Sequence, residues 1–314
     1  MPSWNELLDE FSALDQASKG QWLLTKMNEA LSAVSALRQD RNVILYGSAF
    51  LQKPQAPAPS LTITHEDVNG LMSVLFGMDW SRGLTVILHT PGGVTNAAET
   101  IVAYLRSKFG TNIEAIVPTY AMSAGTMIGL STQRVVMGRQ SQLGPIDPQM
   151  PVGGRYISAR AVVEQFDRGV SEIKLDLTVA HAWAPILQTM GPALLQEAQN
   201  ALDYGESMVA RWLATGMFAG QADGDRLSAA IARHFNDATT HKSHGRRIDR
   251  AEAEANNVVT EELEANQDLQ EAVLTAYHLM TIFFEQTAAA KLLWSSHQRT
   301  WMKNWVPVGA VVGP

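Results

Sequence analysis

The chain has 314 residues, 46% of them hydrophobic, enough for one large domain or two modest ones whose core needs neither disulfide nor metal. It contains no cysteine, which excludes thiolate metal centres, cysteine nucleophiles and disulfide frameworks. Its 24 basic and 31 acidic residues give a formal charge of −7, which suits solubility and argues against a nucleic-acid surface.

The opening MPSWNELLDEFSALDQ is acidic and amphipathic, where a secretory signal needs a positive start and an apolar run. Apolar stretches such as LTVILHT (84–90) and AVVGP (310–314) fall far short of the roughly 20 residues of a membrane helix. No membrane span and a cytoplasmic location are therefore expected. Residues 4–38 read as helix, with Leu7, Leu8, Phe11 and Leu14 on one face and Trp22, Leu23, Met27, Leu31 and Val34 continuing at similar spacing. This segment is expected to pack on the body or on a partner subunit. A strand over 42–51 (NVILYGSAFL) ends in the proline-rich loop QKPQAPAPS, and Thr64 to Asp67 open a helix through Leu71, Val74 and Leu75.

Next come a strand at 84–90, a helix at 96–109, a strand at 113–120, a helix at 123–131 and a strand at 134–138. Such alternation implies parallel strands with right-handed crossovers, so the loops that follow the strands gather at one edge of the sheet, where active sites favour forming. After the turn-rich SQLGPIDPQMPVGG the chain reads as helical to about 235, then as a turn and short helix in SHGRRIDRAEAEANNVV. Residues 269–305 read as a long amphipathic helix or helix pair, with Val273, Leu274, Tyr277, Phe284 and Leu292 available for packing. The expected division is an N-terminal helical segment (1–40), an α/β domain (41–260) and a C-terminal helical segment (261–314) for packing or oligomerisation. There is no internal repeat. Trp294, Trp301 and Trp305 read as packing or subunit contacts.

Two features carry chemistry. In HTPGG (89–93) two glycines follow a buried strand, let the backbone turn sharply and expose unpaired N–H groups of the kind that form an oxyanion hole; a plain strand-to-helix turn needs them equally. In Tyr120-Ala121-Met122-Ser123-Ala124-Gly125-Thr126 a serine follows the next strand and opens the next helix, at the positive end of its dipole, with the Ala124 N–H next to it. Alone, such a serine is an ordinary N-cap. Together, turns after consecutive parallel strands place Gly93 and Ser123 side by side.

TPGG, then MSAGT, then LGPIDPQ, with NVILYGSAFLQKP and HGRRIDRAEA, resemble the Clp-protease/crotonase superfamily, specifically the serine dehydrogenase proteinase family related to signal peptide peptidase A, over roughly 42–260. The resemblance implies a Clp/crotonase-like α/β fold of repeated ββα units, here with extra N- and C-terminal helices. It also implies a serine peptidase in which Ser123 attacks and the N–H groups of Gly93 and Ala124 hold the oxyanion, with Gly92, Val94 and Gly125 beside the substrate. Asp147 stands where Clp protease subunits carry a histidine. The family pattern suggests Asp147 orienting His244 as the base; a Ser–Lys dyad like that of signal peptide peptidase A would instead use Lys174, although Glu172 and Asp176 nearby disfavour its neutral form. Each has a plainer reading: Asp147 as a turn residue, His241 and His244 as solvated, Lys174 as surface.

His89, His181, His234 and His241 form no metal-binding spacing, and neither a Walker loop nor GxGxxG is present, so no metal or cofactor is expected. The leading expectation is an ATP-independent serine endopeptidase that binds extended or unfolded polypeptide as an added strand beside TPGG, as a homo-oligomer. The alternatives are a crotonase-like acyl-CoA enzyme and a non-catalytic peptide-binding assembly module.

Overall fold

In the computed structural model, which describes residues 4–191 and 193–307, the chain starts with α1 (Trp4–Ser12) and α2 (Gln16–Leu37). The single helix expected over 4–38 is thus two, because the Asp15 carboxylate accepts from the Ser18 N–H and starts a new helix. The apolar AVVGP and the outermost residues of the two terminal segments lie outside the described residues.

Then follow β1 (Asn42–Ser48), the short α3 (Ala58–Leu61), α4 (Asp67–Val74), β2 (Leu84–His89), α5 (Thr95–Phe109), β3 (Ile113–Val117), β4 (Tyr120–Ala121) and α6 (Ala124–Leu130). Next are β5 (Val135–Met137), β6 (Gln142–Leu143) and a hairpin, β7 (Gln149–Val152) and β8 (Arg155–Ser158), inside a stretch expected to be turn and helix. The helical part comprises α7 (Ala159–Leu175), α8 (Ala180–Met190), α9 (Leu194–Thr215), α10 (Gly224–Asn236), α11 (Ala238–His241) and α12 (Arg250–Ala255). The chain closes with β9 (Thr260–Glu262), α13 (Gln267–Gln286), β10 (Ala289–Ser295) and β11 (Thr300–Asn304).

The main sheet has the order β11-β10-β1-β2-β3-β5-β9. Its five strands from β1 to β9 run parallel, as the alternation implied, while β10 lies antiparallel to β1 and β11 antiparallel to β10. The short β4 and β6 pair separately, and isolated bridges join Thr90 to Ala121 and Ile63 to Gly93, so a regular repeat of ββα units is not confirmed.

The C-terminal hairpin corrects the expectation of helix to residue 305. Residues 289–295 are buried on both faces, and such a continuous run has no strand periodicity to distinguish it from buried helix. Its turn uses Ser296, His297 and Gln298, with Gln298 at φ +60°, and none of the usual turn signatures marks it. Trp294 is accordingly a core residue, 1% exposed, with its Nε1–H donated to Asn28.

Alternate side chains of the central strands point to opposite faces, and each face has its own core. Val43, Leu45, Ile87 and Ile116 meet α1, α2 and α13; Ile44, Tyr46, Val86 and Leu88 meet the layer containing α4, α5, α6, α9 and α10. The N-terminal helices thus pack on the body. No helix of the described residues is long and apolar enough to cross a membrane.

One buried ion pair joins the C-terminal hairpin to the front of the molecule. Lys291 of β10 and Asp67 of α4, both fully buried, are bonded to each other. The ammonium also donates to Thr62 O (2.9 Å) and Thr64 Oγ1 (3.2 Å), while the carboxylate accepts from Tyr46 Oη (2.7 Å) and Thr64 N (2.8 Å). Loss of one partner leaves a buried charge uncompensated, so Lys291→Met should destabilise by about 3–5 kcal/mol. Pairing it with Asp67→Asn should recover part of that loss, measured as the midpoint of urea unfolding.

Candidate active site

Ser123 has φ +51° and ψ −118°, a conformation that side chains other than hydrogen adopt only under strain. It precedes the first residue of α6, yet its side chain makes no capping hydrogen bond. The N-cap reading therefore does not account for it. The strained turn is held by its surroundings. Thr90 N donates to Tyr120 O (2.9 Å) and Met122 N to Thr90 O (3.1 Å), so the end of β2 pairs with the strand leading into Ser123. Behind the turn, the buried Thr126 Oγ1 accepts from Gly144 N (2.9 Å) and lies 2.7 Å from Ala121 O.

The glycines of TPGG are needed at this join. Gly92 has φ +98°, and a Cβ there would sit 2.6 Å from both Met122 O and Ser123 Cβ. Gly93, at φ +157°, lies against the backbone of Ile63, with Ile63 N donating to Gly92 O (2.8 Å) and Val94 N to Ile63 O (2.9 Å). In that pairing the N–H and C=O of Gly93 face away from Ile63. Among the described residues, neither the Gly93 nor the Ala124 N–H has an acceptor.

Asp147 and His244 meet across 97 residues of sequence: His244 Nδ1 is 2.7 Å from Asp147 Oδ1, with the carboxylate buried and the imidazole side chain 29% exposed. The second carboxylate oxygen accepts from Gln149 Nε2 (2.7 Å), so both oxygens are oriented. The contact follows from a backbone register. Leu143 and Ile248 form an antiparallel bridge with both hydrogen bonds at 2.9 Å, and four residues forward from one and four back from the other lie Asp147 and His244. Ile146 N donates to Phe235 O (2.8 Å) on one side. On the other, Arg246 grips Glu252 at 2.6 and 3.0 Å, and Arg247 donates to Arg139 O (2.7 Å). The residues following His244 in HGRRID are thus its anchors.

Ser123, Asp147 and His244 line one cavity of about 470 Å³, together with Gly93, Val94, Thr62, Gln149 and Tyr156. Ser123 and His244 share this cavity but are not hydrogen-bonded to each other. Lys174 lies exposed in the last turn of α7 and does not line this cavity. Val94 is 47% exposed at its rim, whereas Gly92 and Gly125 sit behind the wall, Gly125 pressed against the Thr90 methyl. Gln149, Tyr156 and Thr62 were not singled out in the sequence. For Gln149 the signal was present in GPIDPQ, two residues past the aspartate; for the others there was none.

His89, just before TPGG, is fully buried among Phe50, Tyr120 and Tyr277, with Nδ1 2.9 Å from Thr119 Oγ1 and no partner for Nε2. Desolvation pushes its pKa down to about 3, so it is a neutral core residue.

Residues 61–190 match the family described as ClpP-like SDH-type serine proteinase, so the resemblance to the serine dehydrogenase proteinases holds over this stretch. The stretch includes Gly93, Ser123 and Asp147, and ends before His244. Two uncharacterized proteins of Methanocaldococcus jannaschii are similar: one is 30% identical over 44% of this chain and 44% of its own length, the other 32% identical over 34% and 35%. The matches thus span less than half the length of these relatives. No solved structure matches.

Two stability measurements test this geometry. Glycine relieves the positive φ at Ser123 while alanine does not, so Ser123→Gly should stabilise the fold by about 1 kcal/mol relative to Ser123→Ala, read from urea unfolding. Because the unfolded imidazole takes a proton below its ordinary pKa and the buried one does not, His89 lowers stability as pH falls from about 6.5 towards about 3. His89→Phe should flatten that part of the pH–stability curve by up to about 1.4 kcal/mol per pH unit.

Proposed function

We propose that the chain is a serine peptidase that hydrolyses peptide bonds of extended or unfolded polypeptides through an acyl-enzyme on Ser123. The observation that carries this reading is the Asp147–His244 hydrogen bond, in the same cavity as a serine held at positive φ with its side chain uncapped. With Nδ1–H given to Asp147, His244 has its basic lone pair on Nε2. That nitrogen takes the proton of Ser123 Oγ as the oxygen attacks the scissile carbonyl, and returns it to the leaving amine. The N–H groups of Gly93 and Ala124 stabilise the oxyanion, and water then releases the acyl group by the same relay.

The free edge of Gly93 supplies main-chain groups for a substrate strand, because Ile63 occupies only the opposite edge. A crotonase-like acyl-CoA reaction would use the paired N–H groups alone and would have no task for the Asp147–His244 pair. A homo-oligomer is part of the same reading: Leu175 and Leu177, 89% and 78% exposed where α7 ends, offer apolar surface for a second copy.

Ser123→Ala should abolish labelling by a fluorophosphonate probe and cleavage of a casein-like substrate, and undiminished labelling would remove Ser123 from the role. His244→Gln and Asp147→Asn should each lower kcat by roughly three to four orders of magnitude. An active His244→Gln variant, with activity lost instead in Lys174→Met, would move the base to Lys174.

A further inference from the structure

The space around His244 continues beyond the cavity that holds Ser123. Asp147, Gln149, Tyr156 and His244 form a shared wall, and on its other side lies a second cavity of about 350 Å³ between the β7–β8 hairpin, the start of α7 and the turn that carries His244. Four of its lining residues, Arg160, Lys242, Glu164 and Asp147, are charged in opposite pairs.

The two signs are not equally satisfied. Asp147 is bonded through both oxygens, to His244 and Gln149, and Glu164 accepts a hydrogen bond from Thr239 Oγ1. Both anions therefore already have partners. Among the described residues, neither cation has one: Arg160 is half-buried and its Nε is buried with no acceptor, while the exposed Lys242 reaches solvent at the rim with neither a hydrogen bond nor an ion pair. Leaving a buried guanidinium donor without an acceptor is costly, and such a donor calls for a partner that the protein itself does not supply, a bound group or an ordered water.

The backbone at the root of each cation is also fixed. Ser158 caps α7 and accepts from Arg160 N at 3.2 Å, which fixes the root of the arginine at the positive end of a 17-residue helix. Lys242 sits at φ +62° with its N–H donated to Ala238 O (2.8 Å), two residues before His244. A planar guanidinium and a nearby ammonium match a carboxylate better than any neutral polar group.

We propose that this second cavity is a carboxylate subsite of the peptidase, in which Arg160 and Lys242 hold an acidic side chain or a C-terminal carboxylate of the substrate close to the scissile bond. It rests on the peptidase reading above and specifies the substrate class: peptides carrying negative charge near the cleavage point. Both sources present the same group to the same donors.

The test uses the full chain and quenched fluorescent peptides that are matched except for Glu or Gln at each position around the scissile bond, each with a free or an amidated C-terminus. The expected result is a preference of about tenfold or more in kcat/KM for one carboxylate-bearing set, carried mainly by KM. Dependence on Glu assigns a side-chain carboxylate, and dependence on the free terminus assigns a terminal one. Arg160→Gln and Lys242→Gln should each bring the ratio towards one, and Arg160→Glu should turn preference towards Lys-bearing peptides. Because each ratio compares two peptides on one protein, a partial loss of folded enzyme cancels. A parent that cleaves charged and neutral peptides equally, or a ratio unchanged in Arg160→Gln, overturns the subsite and leaves the peptidase reading standing. A folded parent that neither cleaves peptide nor takes the fluorophosphonate overturns both.

Discussion

The site depends on a join between two strand ends. Thr90 accepts from Met122 N and donates to Tyr120 O, which brings the TPGG turn against the turn of Ser123. Only because Gly92 lacks a side chain can these backbones approach so closely, and only because they do can Ser123 be kept at a dihedral it would not otherwise adopt. The strain is local, but the structure that maintains it reaches back through Thr126 to Gly144 and forward through Ile63 to the buried Lys291–Asp67 pair.

A second, independent constraint brings in the acid and the imidazole. The Leu143–Ile248 bridge sets two loops in antiparallel register, and the Arg246–Glu252 grip keeps one of them from sliding. The serine and the Asp147–His244 pair thus reach one cavity from separately anchored segments. The family match covers the segment of the serine and the aspartate, while the histidine and the lysine beneath Thr62 come from outside it.

The parallel strands were legible because short apolar runs alternate with helical periods, and the nearness of Gly93 to Ser123 follows from the rule that turns after parallel strands share an edge. The Asp147–His244 contact had no such local basis. It was accessible only through likeness to a family, since the bridge that sets it joins residues roughly a hundred positions apart and leaves no periodic trace. The C-terminal hairpin was illegible for the opposite reason: burial on both faces erased the alternation, and Gln298 stands where a glycine or asparagine would have announced the turn. Arg160 and Lys242 look like ordinary surface charges in sequence; only the cavity reveals their missing partners.

The buried pair of Lys291 and Asp67 also has a bearing on how the molecule is made. The two residues are separated by 224 positions, and β10 takes its place beside β1, which precedes it far back in the chain. A growing chain that already contains Gly93, Ser123, Asp147 and His244 still lacks the strand and the ammonium that secure Thr62 and Thr64 in front of the serine. Until residue 291 emerges, Asp67 has no counter-charge and the loop beside Gly93 has no floor. The nascent polypeptide thus carries the residues of the candidate site before it carries the strand that supports the loop beside them.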